Sequence, residues 1–125
     1  MNPMIHNLHV GNASFLDGEI SSEWENAAMD VVAAAREAAG PDIEILIDAH
    51  GMYNVPTAIR LANQVAERDI FWLEEPVTVE SWKALKQVNE QITPLVSAGE
   101  RLHTRWDFVH IFENGLADYI MLDVT

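Results

Sequence analysis

The sequence predicts an α/β domain made of helix–strand units around a parallel sheet. Two observations support this. Segments with helical period alternate with short apolar runs, in the order α-β-α-β-α-β-α-β. The runs, such as Ile45-Leu46-Ile47 and Phe71-Trp72-Leu73, are continuously apolar, as expected of strands covered on both faces. Strands joined through helices of this length pair in parallel through right-handed crossovers.

Residues 1–20 follow neither period. His6, His9, Asn7, Gly11 and Asn12 point to an irregular N-terminal arm or loop remnant, and the packed domain is expected over residues 21–125. Ser22 and Glu25 fit a capping box for the first helix, with Trp24, Ala27, Ala28, Val31, Val32 and Ala35 on its inner face, before Gly40 and Pro41 end it. A strand over 43–47 follows. Asn54 and Pro56 open the second helix, with Ile59, Ala62, Val65 and Ala66 inward. The second strand spans 70–73. Thr78 is placed as the cap of a third helix carrying Trp82, Leu85 and Val88. After a strand over 95–98, Thr104 and Asp107 start a fourth helix with Phe108, Ile111 and Phe112 inward. Gly115 ends it, and a last strand runs over 119–122. Trp24, Trp82 and Trp106 are expected to pack between helices.

The chain of 125 residues is 49% apolar with a formal charge of −13, which suits one small folded domain. So acidic a chain is a poor ligand for nucleic acid or an anionic membrane surface. No cysteine is present, which excludes disulfides and thiolate chemistry. No signal peptide or membrane-length apolar run is visible, so a cytoplasmic protein is expected.

The chemistry concentrates at the strand ends. Asp48, Glu74, Glu100 and Asp123 each close or follow an apolar run, with 26 residues from Asp48 to Glu74, 26 from Glu74 to Glu100 and 23 from Glu100 to Asp123. In parallel α/β folds the C-terminal strand ends carry the functional groups. Neighbouring strands lie about 4.8 Å apart, so three successive acids can converge on one ion. A carboxylate set without cysteine suits a hard cation such as Mg2+. A single acid at a strand end is more often plain loop solvation; three at this spacing favour a metal site. His50, two residues past Asp48, can face the same interior. Glu75 is read as a supporting residue, Arg101 and His103 as weaker candidates for substrate contact, and His110 as a surface residue.

Asp48-Ala49-His50, Leu73-Glu74-Glu75-Pro76 and Gly99-Glu100-Arg101 together resemble the enolase superfamily, in its mandelate racemase and muconate lactonizing branch and nearest to the galactonate-type acid-sugar dehydratases. The resemblance covers residues from about 21 to 125. It implies roughly half of a TIM-like (β/α)7β barrel, with Mg2+ held by Asp48, Glu74 and Glu100. It further implies removal of the proton α to a substrate carboxylate, an enediolate, and β-elimination of water with His50 protonating the departing hydroxyl. Asp123 matches the aspartate that orients a histidine base on the following strand, although Leu122 stands where related dehydratases commonly carry proline. Racemisation and cycloisomerisation are the alternative chemistries, since they need no acid at His50.

A full barrel of this type takes roughly 250 residues. The chain is therefore expected to be the middle of an enzyme, without the capping domain, the early strands or the histidine base, and inactive in isolation. Its open sheet edges and uncovered barrel-facing side predict a homo-oligomer. The expected ligand of the parent enzyme is a sugar acid or another carboxylate.

Overall fold

The computed structural model describes residues 17–78 and 80–124. Most of the expected N-terminal arm, including His6 and His9, lies outside the described residues. The elements run α1 (Ser22–Ala39), β1 (Ile45–Asp48), α2 (Val55–Ala66), β2 (Ile70–Glu74), α3 (Trp82–Asn89), β3 (Leu95–Ala98), α4 (Arg105–Asn114) and β4 (Tyr119–Ile120). The four strands form one sheet in the order β1-β2-β3-β4, and every neighbouring pair is parallel.

The helix starts show where local signals decide and where they compete. Ser21 caps α1, accepting from the Trp24 N–H at 3.4 Å, one residue before the expected Ser22. Glu25 does not complete a capping box; Arg60 and Gln64 on α2 take its carboxylate, at 2.9 and 2.7 Å. Asn54 caps α2 by accepting from the Thr57 N–H at 2.9 Å. The cap of α3 is Ser81, accepting from the Ala84 N–H, and not Thr78. The Asp107 carboxylate accepts from the Thr104 N–H at 2.8 Å, which fixes the start of α4 as expected, and Gly115 ends it in the left-handed region at φ 56°.

One sheet face packs against the helices. Val88, Val96, Ala98, Ile111 and Leu116 form its centre, each at most 2% exposed. Full burial of a side chain such as Ile111 contributes about 2–3 kcal/mol. The inner stripe of α1 is narrower than its spacing predicts: Ala28 and Val32 are buried, while Trp24, Ala27 and Val31 are exposed. Phe112 on α4 is 65% exposed, because Phe108 and Ile111 already fill the contact with the sheet. Of the three tryptophans expected between helices, only Trp82 packs on the core, and Trp106 stays exposed under the Arg105 guanidinium at 4.3 Å.

On the other sheet face the rings of Phe71, Trp72 and Tyr119 meet at centroid distances of 5.1 to 5.5 Å. A register irregularity between Ile45 and Leu46 shifts the pairing from Ile70 to Trp72 and leaves Phe71 as the extra residue of β2. The strand expected over 119–122 pairs through Tyr119 and Ile120, and the Met121 N–H still donates to the Ala98 carbonyl at 3.1 Å. At the N-terminal ends of the strands, Arg36 closes the fold. Its guanidinium donates to the carbonyls of Gly40, Ile43, Arg68 and Asp69 at 2.6 to 2.9 Å.

Candidate metal centre

The strand register builds the site. Asp48 ends β1 and Glu74 ends β2, and their Cα positions pair; Glu74 in turn pairs with Ser97 on β3. Side chains alternate along a strand, so these three residues form one row on one face of the sheet. Glu100 follows in the turn after β3, beyond Gly99.

His50 sits in the turn after β1 with φ 55°, a conformation few side-chain-bearing residues adopt. Its backbone N–H donates to Asp48 Oδ1 at 2.9 Å, and its Nδ1 lies 2.7 Å from Asp48 Oδ2 and 3.9 Å from Glu100 Oε1. Arg101 donates from Nη2 to the His50 carbonyl at 2.7 Å, and its Nε lies 3.5 Å from Glu100 Oε1.

Among the described residues, Asp48, His50 and Glu100 each offer a ligand atom, and these atoms lie within 4.8 Å of one another. The expected set was Asp48, Glu74 and Glu100. Three carboxylates repel one another, and in this group an imidazole stands in place of the third, with Nδ1 2.7 Å from Asp48 and 3.9 Å from Glu100. Glu74 is nonetheless electrically part of the cluster. Burial pushes its carboxyl up to about 7, and the charges of Asp48, Glu100 and Glu75 push the same way, against the nearby Trp72 indole. A divalent cation reverses that balance by favouring the ionised carboxylates. Asp48 and Glu100 offer carboxylate oxygens, the donor type that a hard divalent cation takes, while Nδ1 of His50 lies against Asp48 Oδ2.

The remaining sequence candidates fall elsewhere. Asp123 is exposed, three residues past the end of β4 and outside the ligand group. His103 is exposed, and His110 is exposed and stacked on Trp82 at 6.0 Å. Glu75 is 1% exposed and its Oε1 accepts from the Gly99 N–H at 2.7 Å. Burial raises its carboxyl, and that hydrogen bond works in the opposite direction. Sequence reasoning missed Ser97, whose fully buried hydroxyl has no hydrogen-bond partner among the described residues. Its place in the Asp48–Glu74 row depends on register, which spacing alone does not reveal. A cleft of about 440 Å3 opens beside His50, lined also by Asp17, Asn54, Thr78 and Arg101.

A parallel βα repeat with acids clustered at the C-terminal strand ends has its polar groups where barrel enzymes place their active sites. The chain belongs to the family described as Enolase C-terminal domain-like, which matches residues 9–125. Its fold is part of that family's TIM-like barrel. It is 29% identical over 106 residues to a D-gluconate/D-galactonate dehydratase from Picrophilus torridus, covering 85% of this chain and 27% of the relative. A mandelate racemase/muconate lactonizing enzyme-like protein from Rubrobacter xylanophilus has a similar crystal structure, with a TM-score of 0.87 and 38% identity, over 93% of this chain and 30% of that one. A racemase from Streptomyces coelicolor with bound magnesium aligns with a TM-score of 0.73 at 28% identity, over 80% of this chain and 27% of that one. The chain thus spans between a quarter and a third of the length of these relatives. Among the described residues, no helix is long and apolar enough to cross a membrane.

Proposed function

We propose that this chain carries the metal-binding part of a Mg2+-dependent acid-sugar dehydratase-like enzyme. The observation that carries this reading is the convergence of Asp48, His50 and Glu100 at the C-terminal strand ends, with Glu74 in register beside Asp48. Asp48, Glu74 and Glu100 are the ligands, and Mg2+ held there supplies electrostatic stabilisation of the negative charge that develops on a substrate carboxylate. His50 is assigned as the general acid that protonates a departing β-hydroxyl, held in place by Asp48 and by the Arg101 contact to its carbonyl. Asp123 is assigned to orienting the histidine base of the parent enzyme. Resemblance to a dehydratase supports elimination. Resemblance to a magnesium-bound racemase supports the second reading, in which the same carboxylates serve racemisation and His50 has no acid role.

Calorimetric titration with Mg2+ tests the site: the wild-type chain binds and Glu74→Gln binds at least tenfold more weakly. Absence of binding by wild type refutes the site in this chain. A panel of sugar acids assayed for 2-keto-3-deoxy products separates dehydration from racemisation in the parent enzyme. We further propose a cytoplasmic protein that self-associates through the open edges of β1 and β4 and the aromatic face, with sedimentation as the check.

A further inference from the structure

Two turns determine where the candidate ligands sit. One carries His50 after β1, and the other carries Glu100 after β3. Both are tied to a single residue directly after the strand between them. Glu75 follows β2 with φ 43°, a left-handed conformation that turns its backbone out of the strand direction. In that conformation its N–H donates to the Ser97 carbonyl at 2.9 Å, and its carbonyl accepts from the Gly51 N–H at 2.6 Å. Its side chain, 1% exposed, accepts from the Gly99 N–H through Oε1 at 2.7 Å. Gly51 directly follows His50, and Gly99 directly precedes Glu100.

Gly99 has no room to settle elsewhere. Its φ is 129°, and a Cβ there would lie 2.7 Å from Phe108 Cε1 and 2.9 Å from the Met121 carbonyl oxygen. The carboxylate of Glu75 therefore meets an amide whose position is set from the other side by α4 and the segment after β4. A buried carboxylate without such a donor would be costly, so the contact also explains why an acidic residue is tolerated at this depth.

We propose that Glu75 is a positioning residue: by holding the Gly99 amide, and through its backbone the Gly51 turn, it sets the separation of Glu100 from the Asp48–His50 pair. It touches neither substrate nor ion. The metal part of this inference rests on the site proposed above. Residues that orient metal ligands typically change affinity by about 10- to 100-fold when removed.

The test compares wild type, Glu75→Gln and Glu75→Ala by amide hydrogen exchange in metal-free buffer and by Mg2+ titration, both well below each variant's melting temperature. Gln retains an oxygen that accepts from Gly99, whereas Ala does not. The expected result is that Ala speeds exchange at Gly99 at least tenfold and weakens Mg2+ binding about 10- to 100-fold. Gln should stay within about threefold of wild type in both. Unchanged exchange at Gly99 in Ala overturns the proposal, as does wild-type Mg2+ affinity in Ala. A loss in Gln equal to that in Ala also overturns it, because charge rather than the held amide would then be responsible. If wild type itself binds no Mg2+, the site reading fails, and exchange alone decides the clamp. Faster exchange confined to the turns around Gly51 and Gly99 in Ala, and rescued in Gln, sustains it; faster exchange across the whole sheet overturns it.

Discussion

Replacing Glu74 by glutamine should make the folded chain more stable at pH 8 while leaving it nearly unchanged at pH 4.5. The Glu74 carboxyl is half-buried beside Asp48 and Glu100 and titrates at about 7, against an ordinary value of 4.5. Between those two values the folded chain keeps a proton that the unfolded chain has lost. The contribution of protonated Glu74 is therefore fully present below 4.5 and is lost as the pH rises through 7. At about 1.4 kcal/mol per pH unit, the upper bound is about 3 kcal/mol. Water reaches one side of the carboxylate, and screening lowers the working figure to about 1–2 kcal/mol. For a chain of this size that corresponds to roughly 4–8 °C in melting temperature. Thermal melts followed by far-ultraviolet circular dichroism, from pH 4.5 to 8 with chelator present, read this directly. The wild-type and Glu74→Gln curves should coincide at the acid end and diverge as wild type loses stability. Mg2+ at pH 8 should then raise wild type by about 1.4 kcal/mol at ten times its dissociation constant, and the variant by no more than about 0.4 kcal/mol at the same concentration. Parallel melting curves across the whole pH range would refute the electrostatic account of Glu74.

Two further substitutions probe the frame that holds the site. Arg36→Ala removes four charge-assisted contacts to the carbonyls of Gly40, Ile43, Arg68 and Asp69. The expected cost is about 2–3 kcal/mol, read as a lower urea midpoint with an unchanged slope and unchanged Mg2+ affinity. Gly99→Ala forces a side chain against Phe108 and the Met121 carbonyl at φ 129°. A loss of about 2–3 kcal/mol is expected from overpacking, with weaker Mg2+ binding because the Glu100 turn moves. A Gly99→Ala chain as stable as wild type would show that the turn has room to relax.

Much of the architecture was legible because it follows from local chemistry. Continuous apolar runs define the strands, and Asn54, Thr104, Asp107, Gly40 and Gly115 mark helix ends through backbone groups that only such residues satisfy. Where two residues offer similar chemistry, local signals do not choose. Ser21 took the cap expected of Ser22, and Ser81 the cap expected of Thr78. The α1 stripe was over-read, and Phe112 was placed inward, because helical spacing names a face but not how much of it a neighbour covers. Glu25 illustrates the same limit, since residues 35 and 39 positions away on α2 outcompeted its own helix end.

The acids of the site, the family resemblance they carry and the parallel βα order were all present in the sequence, because residue type and spacing along strands are local properties. The tertiary structure decided which donor atoms approach one another. It paired His50 with Asp48, kept Glu74 in register but near neutrality, and left Asp123 exposed past a two-residue strand. It also brought the Gly99 amide, 24 residues away in sequence, to the Glu75 carboxylate. Hydrogen bonds between strand ends, burial and the mutual repulsion of carboxylates depend on positions in three dimensions, and one-dimensional spacing does not contain them.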